Sequence, residues 1–340
     1  MAVSDYTMPL EAIDAPEPEL RDGYALVEVL ACGVCYSDVK TSRGQMPYSD
    51  TLTLPHIPGH EICARVIKTS PPGAFESGSV IVVYHYWPCG RCHRCKAGDE
   101  NLCVDLQAWL GFTHDGGFRD RLAVPLDRLF AVPDGIAPVD AAPMTCAVGT
   151  AYRAVVTRGG VKPGGTVAVI GLGGVGIHAL QIAAASGAQA VGLDIGERPI
   201  RVAHDLGLVA VNASSVDRNS FNTPSVIEEG FDVVVVTAGH EDAFRQGAEL
   251  VRKGGRIVVV GYAMNIPFSI HSPDLALGEV EIVGSRYCSR DDLGRAIELV
   301  RSGQIRTVVD AVRPLEEVNE AYDDLIAGRI VGRVVLDLGK

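Results

Sequence analysis

KPGGTVAVIGLGGVGIHALQIAAASGA, residues 162–188, carries the reading of the fold. The apolar run from Thr166 to Ile170 has the length and β-branched content of a buried strand, and the Ala-rich stretch after it reads as a helix. Between them lie Gly171, Leu172, Gly173, Gly174, Val175 and Gly176. A bare G-x-G-x-x-G is common by chance. Here a strand precedes it, a helix follows, and a second strand, AVGLD, ends in Asp194 about twenty residues on. Gly171 permits the tight turn, Gly173 lets the backbone approach a pyrophosphate, and Gly176 lets the helix pack close to the strand. The amino end of that helix faces the phosphates. Asp194 is placed to accept hydrogen bonds from both ribose hydroxyls and to repel a 2′-phosphate, which selects NAD over NADP.

Further strands at FDVVVVTAG (231–239) and GRIVVVGY (255–262), with helical stretches between, continue the βαβ rhythm. From about Cys146 to Pro273 the expectation is a doubly wound α/β sheet, a Rossmann nucleotide-binding domain over 146–273. Residues 1–145 differ, holding short alternating strands broken by Pro and Gly. Residues 274–340 bring EVEIVGS, helices at DDLGRAIELVRSG and LEEVNEAYDDLIAG, and a last strand, RVVLDL. The expected architecture is a nucleotide domain inserted into a discontinuous, mostly-β catalytic domain, with the cofactor in the cleft between them.

Composition narrows the function. The chain has 340 residues, 47% hydrophobic, enough for two domains with their own cores. No apolar run of roughly 18 residues suggests a membrane span, and the start lacks the pattern of a signal peptide. A net charge of −12 argues against a nucleic-acid partner. Nine cysteines are an odd number, and a chain this long needs no disulfide staples, so a reducing cytoplasm is expected.

Four of those cysteines crowd into WPCGRCHRCKAGDENLC, residues 87–103: Cys89, Cys92, Cys95 and Cys103. Two-residue gaps let neighbouring sulfurs turn toward one ion, and the longer gap brings the fourth back over it. That is the spacing of a closed, structural zinc site. A redox Cys-x-x-Cys pair would leave the other two thiols unexplained.

A second metal site is assembled from distant segments. ACGVCYSDVK (31–40) offers Cys35, PGHEICARV (58–66) offers His60 beside Glu61, and PMTCAVGTAY (143–152) offers Cys146. Singly these are core thiols and a polar residue. Together, three ligands with one position left open form the pattern of a catalytic zinc.

In combination these motifs resemble the zinc-containing alcohol dehydrogenases of the medium-chain dehydrogenase/reductase superfamily, from VEVLACGVCYSDV to GRVVLDL. The resemblance implies a GroES-like catalytic domain, and Cys35, His60 and Cys146 as catalytic zinc ligands with Glu61 an alternative ligand. It also implies that Asp38 orients His60, that Ser37 hydrogen-bonds the substrate oxygen, and that Lys40 stands where relatives end a proton relay with histidine. Thr150, Val175, Val260, Gly261 and Tyr262 match positions around the nicotinamide half of NAD, and Arg198 a cofactor contact near Asp194. Tyr36 replaces a basic residue that contacts the pyrophosphate. His85, Tyr86, Trp87 and Trp109 either line the substrate pocket or pack around the zinc lobe.

The expected function is zinc-dependent oxidation of an alcohol, or reduction of a carbonyl, by hydride transfer to or from NAD in a homodimer or homotetramer. A metal with an open position acidifies a hydroxyl that enters it, water falling to a pKa of roughly 7. Polyol dehydrogenases of the superfamily carry glutamate where this chain has Cys146. A polyol or other specialised secondary-alcohol dehydrogenase is the neighbouring reading. A zinc-stabilised nucleotide sensor without catalysis is a more distant one, and the presence of Ser37, Cys35 and His60 argues against it.

Overall fold

The computed structural model describes residues 1–73, 75–216, 229–264 and 266–339. It divides into two compact units: Met1–Cys146 with Ser289–Ile297 and Val309–Lys340, and Ala147–Cys288 with Glu298–Val308.

The first unit begins with β1 (Tyr24–Val34), β2 (Glu61–Ser70), β3 (Val80–Val83), β4 (Tyr86–Trp87), β5 (Ala108–Trp109), β6 (Arg121–Pro125) and β7 (Leu129–Ala131). The second holds β8 (Thr166–Ile170), β9 (Gln189–Asp194), β10 (Val209–Asn212), β11 (Phe231–Val236), β12 (Val251–Val259) and β13 (Glu281–Gly284). The chain then returns to the first unit with β14 (Val309–Pro314) and β15 (Arg333–Asp337).

A seven-stranded sheet in the order β14-β15-β1-β2-β3-β7, with β6 also paired to β1, organises the first unit. Along β1 alternate side chains are buried as far as Val29, as expected for a strand with one solvated face. From Val29 to Val34 every residue is buried, and the metal-ligand candidates lie at that enclosed end. Val27, Val29, Ile62, Ala64, Ile81, Val83 and Leu336 belong to one core cluster. The short β4–β5 ribbon sets Tyr86 opposite Trp109.

The second unit is a parallel sheet in the order β10-β9-β8-β11-β12-β13. All five residues of β8 are buried, which is why its pattern is a continuous apolar run rather than an alternation. Chain order reverses between β8 and β11, a switch point at whose carboxyl ends doubly wound sheets bind ligands. The EVEIVGS segment does not open the return segment, where its sequence position suggested: it is β13, which extends this parallel sheet with Ile282 opposite Ile257. A four-residue edge strand has no pattern that names its sheet. Among the described residues no helix is long and apolar enough to cross a membrane.

Candidate active site

Where β1 ends, the chain turns at Cys35 into the helix Tyr36–Ser42. Asp38, three residues in, closes a capping box: its Oδ2 accepts the Cys35 N–H at 2.8 Å. The cap fixes the backbone that carries the Cys35 thiol. The other oxygen of Asp38 accepts His60 Nδ1–H at 2.7 Å and the Gly59 N–H at 3.3 Å. Gly59 has φ +95°, and a Cβ there would lie 2.5 Å from the Phe118 ring. Glycine is required for His60 to reach this position. With Nδ1 committed to Asp38, Nε2 is the nitrogen left for a ligand.

Cys35, His60, Glu61 and Cys146 each offer a ligand atom within 4.8 Å of the others. Cys146 arrives from a separate segment, between the 3₁₀ turn Ala142–Thr145 and the helix Ala147–Tyr152. Glu61 is fully buried; its Oε1 accepts Arg333 Nε–H at 2.8 Å, and its Oε2 has no hydrogen-bond partner. The same guanidinium lies with Nη2 3.7 Å from Cys35 Sγ. Two thiols, one imidazole and an orphaned buried carboxylate oxygen suit a zinc ion and fit poorly to a hard cation.

Protonation in this cluster is strongly perturbed. The hydrogen bond with Cys146 holds the Cys35 thiol well below its usual range, with Arg333 and His60 adding to the effect against burial. Cys146 is pushed well above it by the same hydrogen bond, by burial and by the Cys35 charge, so the pair keeps one proton. Burial alone would lower His60, but the Asp38 carboxylate outweighs it and raises His60 to about 10. Burial raises Glu61 to about 7 against the opposing Arg333. A site that holds these protons gives them up to a metal.

The four cysteines of the lobe also converge, with Sγ atoms within 4.8 Å of one another and Cys92–Cys95 at 3.5 Å. Backbone N–H groups of Cys89 and Cys92 point at the sulfurs of Cys103 and Cys89, at 3.3 and 3.4 Å. Backbone hydrogen bonds at Cys95 and Val104 lower Cys92 to about 6, whereas burial and its cysteine neighbours raise Cys95 to about 12. None of the nine cysteines is in a disulfide, and the four of the lobe lie where they could hold one ion.

In the second unit the glycine-rich turn is built as its pattern implies. Gly171 has φ +89°, and a Cβ at Gly176 would collide with the Gly171 carbonyl. A Cβ at Gly173 would meet nothing within 4 Å, so that stretch of backbone faces open space as an incoming phosphate requires. Asp194 accepts the Leu172 N–H at 2.7 Å and the Gly196 N–H at 2.8 Å. It therefore braces the glycine-rich loop. His178 donates to the Gly174 carbonyl at 2.7 Å and accepts the Val308 N–H at 3.0 Å. Gly174, Val175, Val260 and Gly261 lie in the loops after β8 and β12, Thr150 is buried, and Tyr262 and Arg198 are exposed.

Ser37 is half-buried on the helix after Cys35, and Lys40 lies one turn on with Nζ 5.7 Å from the Tyr36 ring centre. Burial lowers the Lys40 amine, with the Cys35 charge opposing. The aromatic candidates separate. His85 packs edge-on to His60 at 4.9 Å, and Tyr86 meets Trp109 at 5.5 Å. Trp87 instead faces Tyr24 at 6.3 Å, on the other side of its two-residue strand. Phe112 and Tyr48, not singled out from sequence, complete the wall: Phe112 lies 4.6 Å from His60 and 4.0 Å from Trp109, and Tyr48 5.5 Å from Trp109. Arg333 was also missed, though a charge opening the apolar strand RVVLDL was a usable signal.

Comparison with known proteins shows the family. Residues 21–134 match the alcohol dehydrogenase GroES-like domain family and residues 174–302 the zinc-binding dehydrogenase family. An alcohol dehydrogenase of Geobacillus stearothermophilus is 35% identical over 339 residues, 98% of each chain. The crystal structure of an NAD-dependent alcohol dehydrogenase superposes with a TM-score of 0.84 at 29% identity, covering 96% of this chain and 95% of the other. A thermostable alcohol dehydrogenase from Pyrobaculum aerophilum, with cobalt and zinc bound, superposes with a TM-score of 0.85 at 25% identity over 99% and 98%. The chain belongs to the zinc-containing alcohol dehydrogenases of the medium-chain dehydrogenase/reductase superfamily.

Proposed function

We propose that the protein interconverts an alcohol and its aldehyde or ketone with NAD, and that Cys35, His60 and Cys146 hold the zinc at which the substrate oxygen binds. The observation that carries this is the convergence of those three side chains and Glu61 within 4.8 Å, with one carboxylate oxygen left unpartnered. When bound, zinc supplies Lewis-acid stabilisation of charge on the substrate oxygen, and nicotinamide supplies hydride exchange. The chain's own residues do the rest. Asp38 fixes the tautomer of His60 and the position of Cys35. The Ser37 hydroxyl takes the substrate proton and passes it toward solvent. The backbone around Gly173 receives the pyrophosphate, and Asp194 sets the preference for NAD. Lys40, positive and close to Cys35 in the chain, contacts the pyrophosphate where Tyr36 offers no charge. Cys89, Cys92, Cys95 and Cys103 hold a structural zinc.

The aromatic wall beside His60 supports alcohols bearing an apolar or aryl group, because flat rings give such substrates area without unpaired polar groups. The mostly exposed edge strand β13, with Ile282 40% exposed and Leu277 nearby 80% exposed, supports a homodimer through the nucleotide unit. Nine unbridged cysteines support the cytoplasm. The test mixes zinc-loaded protein with NAD or NADP and a panel of benzylic, secondary and short primary alcohols, followed by nicotinamide absorbance. Absence of turnover across the panel, in both directions, overturns the reading.

A further inference from the structure

Gly33 sits on β1 directly between Glu61 of β2 and Val335 of β15. Its backbone is ordinary strand, outside the left-handed region, so nothing in its conformation calls for glycine. Space does. A Cβ at position 33 would collide with Glu61 Oε2 and lie 2.9 Å from Glu61 Cβ and 3.1 Å from its Cδ. Arg333 stands two residues before Val335 on β15 and so shares its face of the sheet. The Glu61–Arg333 ion pair thus bridges across the middle strand, over the one residue there that has no side chain.

We infer that Gly33 and Arg333 form a berth that keeps Glu61 off the catalytic metal. Gly33 leaves the room and Arg333 holds Oε1, so the position opposite Cys35, His60 and Cys146 stays open. Both are positioning residues, acting through Glu61. The inference rests on reading those three residues as zinc ligands. A methyl group at 33 removes the room that the carboxylate occupies. The neighbouring place where a buried carboxylate finds a counter-charge is the metal, because a Glu61 oxygen lies within 4.8 Å of the other three donor atoms.

The test uses the protein with cobalt(II) exchanged into the catalytic site and titrates it with imidazole, following the visible bands. In the unmutated protein imidazole binds the open position and shifts the spectrum. Gly33→Ala should weaken its apparent affinity by about tenfold or more, since a site occupied by Glu61 most of the time is unavailable for that fraction. Arg333→Met leaves β1 untouched, frees Oε1 and should shift affinity in the same direction. Gly33→Ala with Glu61→Ala should restore imidazole binding, which simple damage to the strand would not. Imidazole affinities within about twofold of the unmutated protein in both single variants overturn the inference. So does a loss in Gly33→Ala that persists once Glu61 is removed. If the unmutated cobalt protein lacks thiolate-to-cobalt bands, the ligand assignment fails, and the berth with it.

Discussion

Asp38→Asn separates the two things that Asp38 does for His60. The substitution keeps the shape and one acceptor oxygen but removes the charge 2.7 Å from His60 Nδ1. In the folded protein with its metal removed, that charge outweighs burial and raises His60 to about 10. At pH 7 a proton therefore competes with the metal for His60, lowering apparent affinity by about three powers of ten. The same carboxylate also orients the ring and makes it a better donor; losing such a partner costs roughly 10–100-fold in affinity, about 1.4–2.8 kcal/mol. The two effects oppose each other at neutral pH and part company above it. Near pH 10, where little proton remains to displace, the variant should bind zinc 10–100-fold more weakly. On these magnitudes the gap should close between about pH 8 and 9 and reverse below that, where the proton costs the unmutated protein more than its carboxylate partner contributes.

Slope is the sharper readout. In the unmutated protein metal entry expels a proton from His60 and one from Cys146, so the logarithm of apparent affinity should rise by about two per pH unit. In Asp38→Asn the slope should fall by about one. Chelator competition for the catalytic site from pH 6.5 to 9 measures it, and calorimetry in buffers of different ionisation heat counts the protons. Parallel pH curves for the two proteins would refute the reasoning. A raised histidine also stabilises the metal-free fold, fully below pH 6.5 and progressively less as pH rises through about 10. The stability difference between the metal-free proteins should shrink over that interval.

Cys103→Ser should cost the lobe its zinc and lower the melting temperature while the catalytic cluster still loads metal; elemental analysis with calorimetry decides, and an unchanged melting temperature counts against a structural site. Asp194→Ala removes the ribose acceptor and also releases the Leu172 and Gly196 N–H groups, so kcat/KM for NAD should fall about 10–100-fold with no matching gain for NADP. Comparable kcat/KM for the two cofactors in the unmutated enzyme would remove the basis for this. Lys40→Ala should raise KM for NAD with little change in kcat, whereas Ser37→Ala should cost on the order of 10²-fold in kcat. Rescue of Lys40→Ala by added amines would make the lysine the terminal base instead.

How much of this was legible depends on whether a feature is local. The strand, glycine turn, helix and Asp194 lie close together in sequence, and the four lobe cysteines lie within fifteen residues, so spacing alone encodes their geometry. Cys35, His60 and Cys146 are far apart, yet each sits in a short motif of its own. Glu61 and Arg333 are 272 residues apart, and their meeting depends on β15 pairing beside β1, which no local pattern states. The aromatic wall was half legible for a similar reason. Tyr86 and Trp87 are neighbours on a strand and must face opposite ways, but which of them joins Trp109 is settled by the register of β4 on β5.

The discontinuity of the first unit has a chemical consequence. β15 is the last strand of the chain, yet it lies in the sheet next to β1, the first. It brings the guanidinium that faces Cys35 and Glu61. With zinc present, the buried charges are a dication, the Cys35 and Cys146 thiolates, the Glu61 carboxylate and the Arg333 cation, and their formal sum is zero. The Asp38 carboxylate stands outside that sum and is satisfied by the Cys35 and Gly59 N–H groups and by His60. Without Arg333 the cluster would hold one buried negative charge too many, which proteins relieve by taking up a proton or drawing in a cation. Glu61 would then take up that proton or bind the metal, and the second outcome closes the open position. On the proposed ligand set β15 belongs to the zinc site, which reaches its working charge only once that strand is in place.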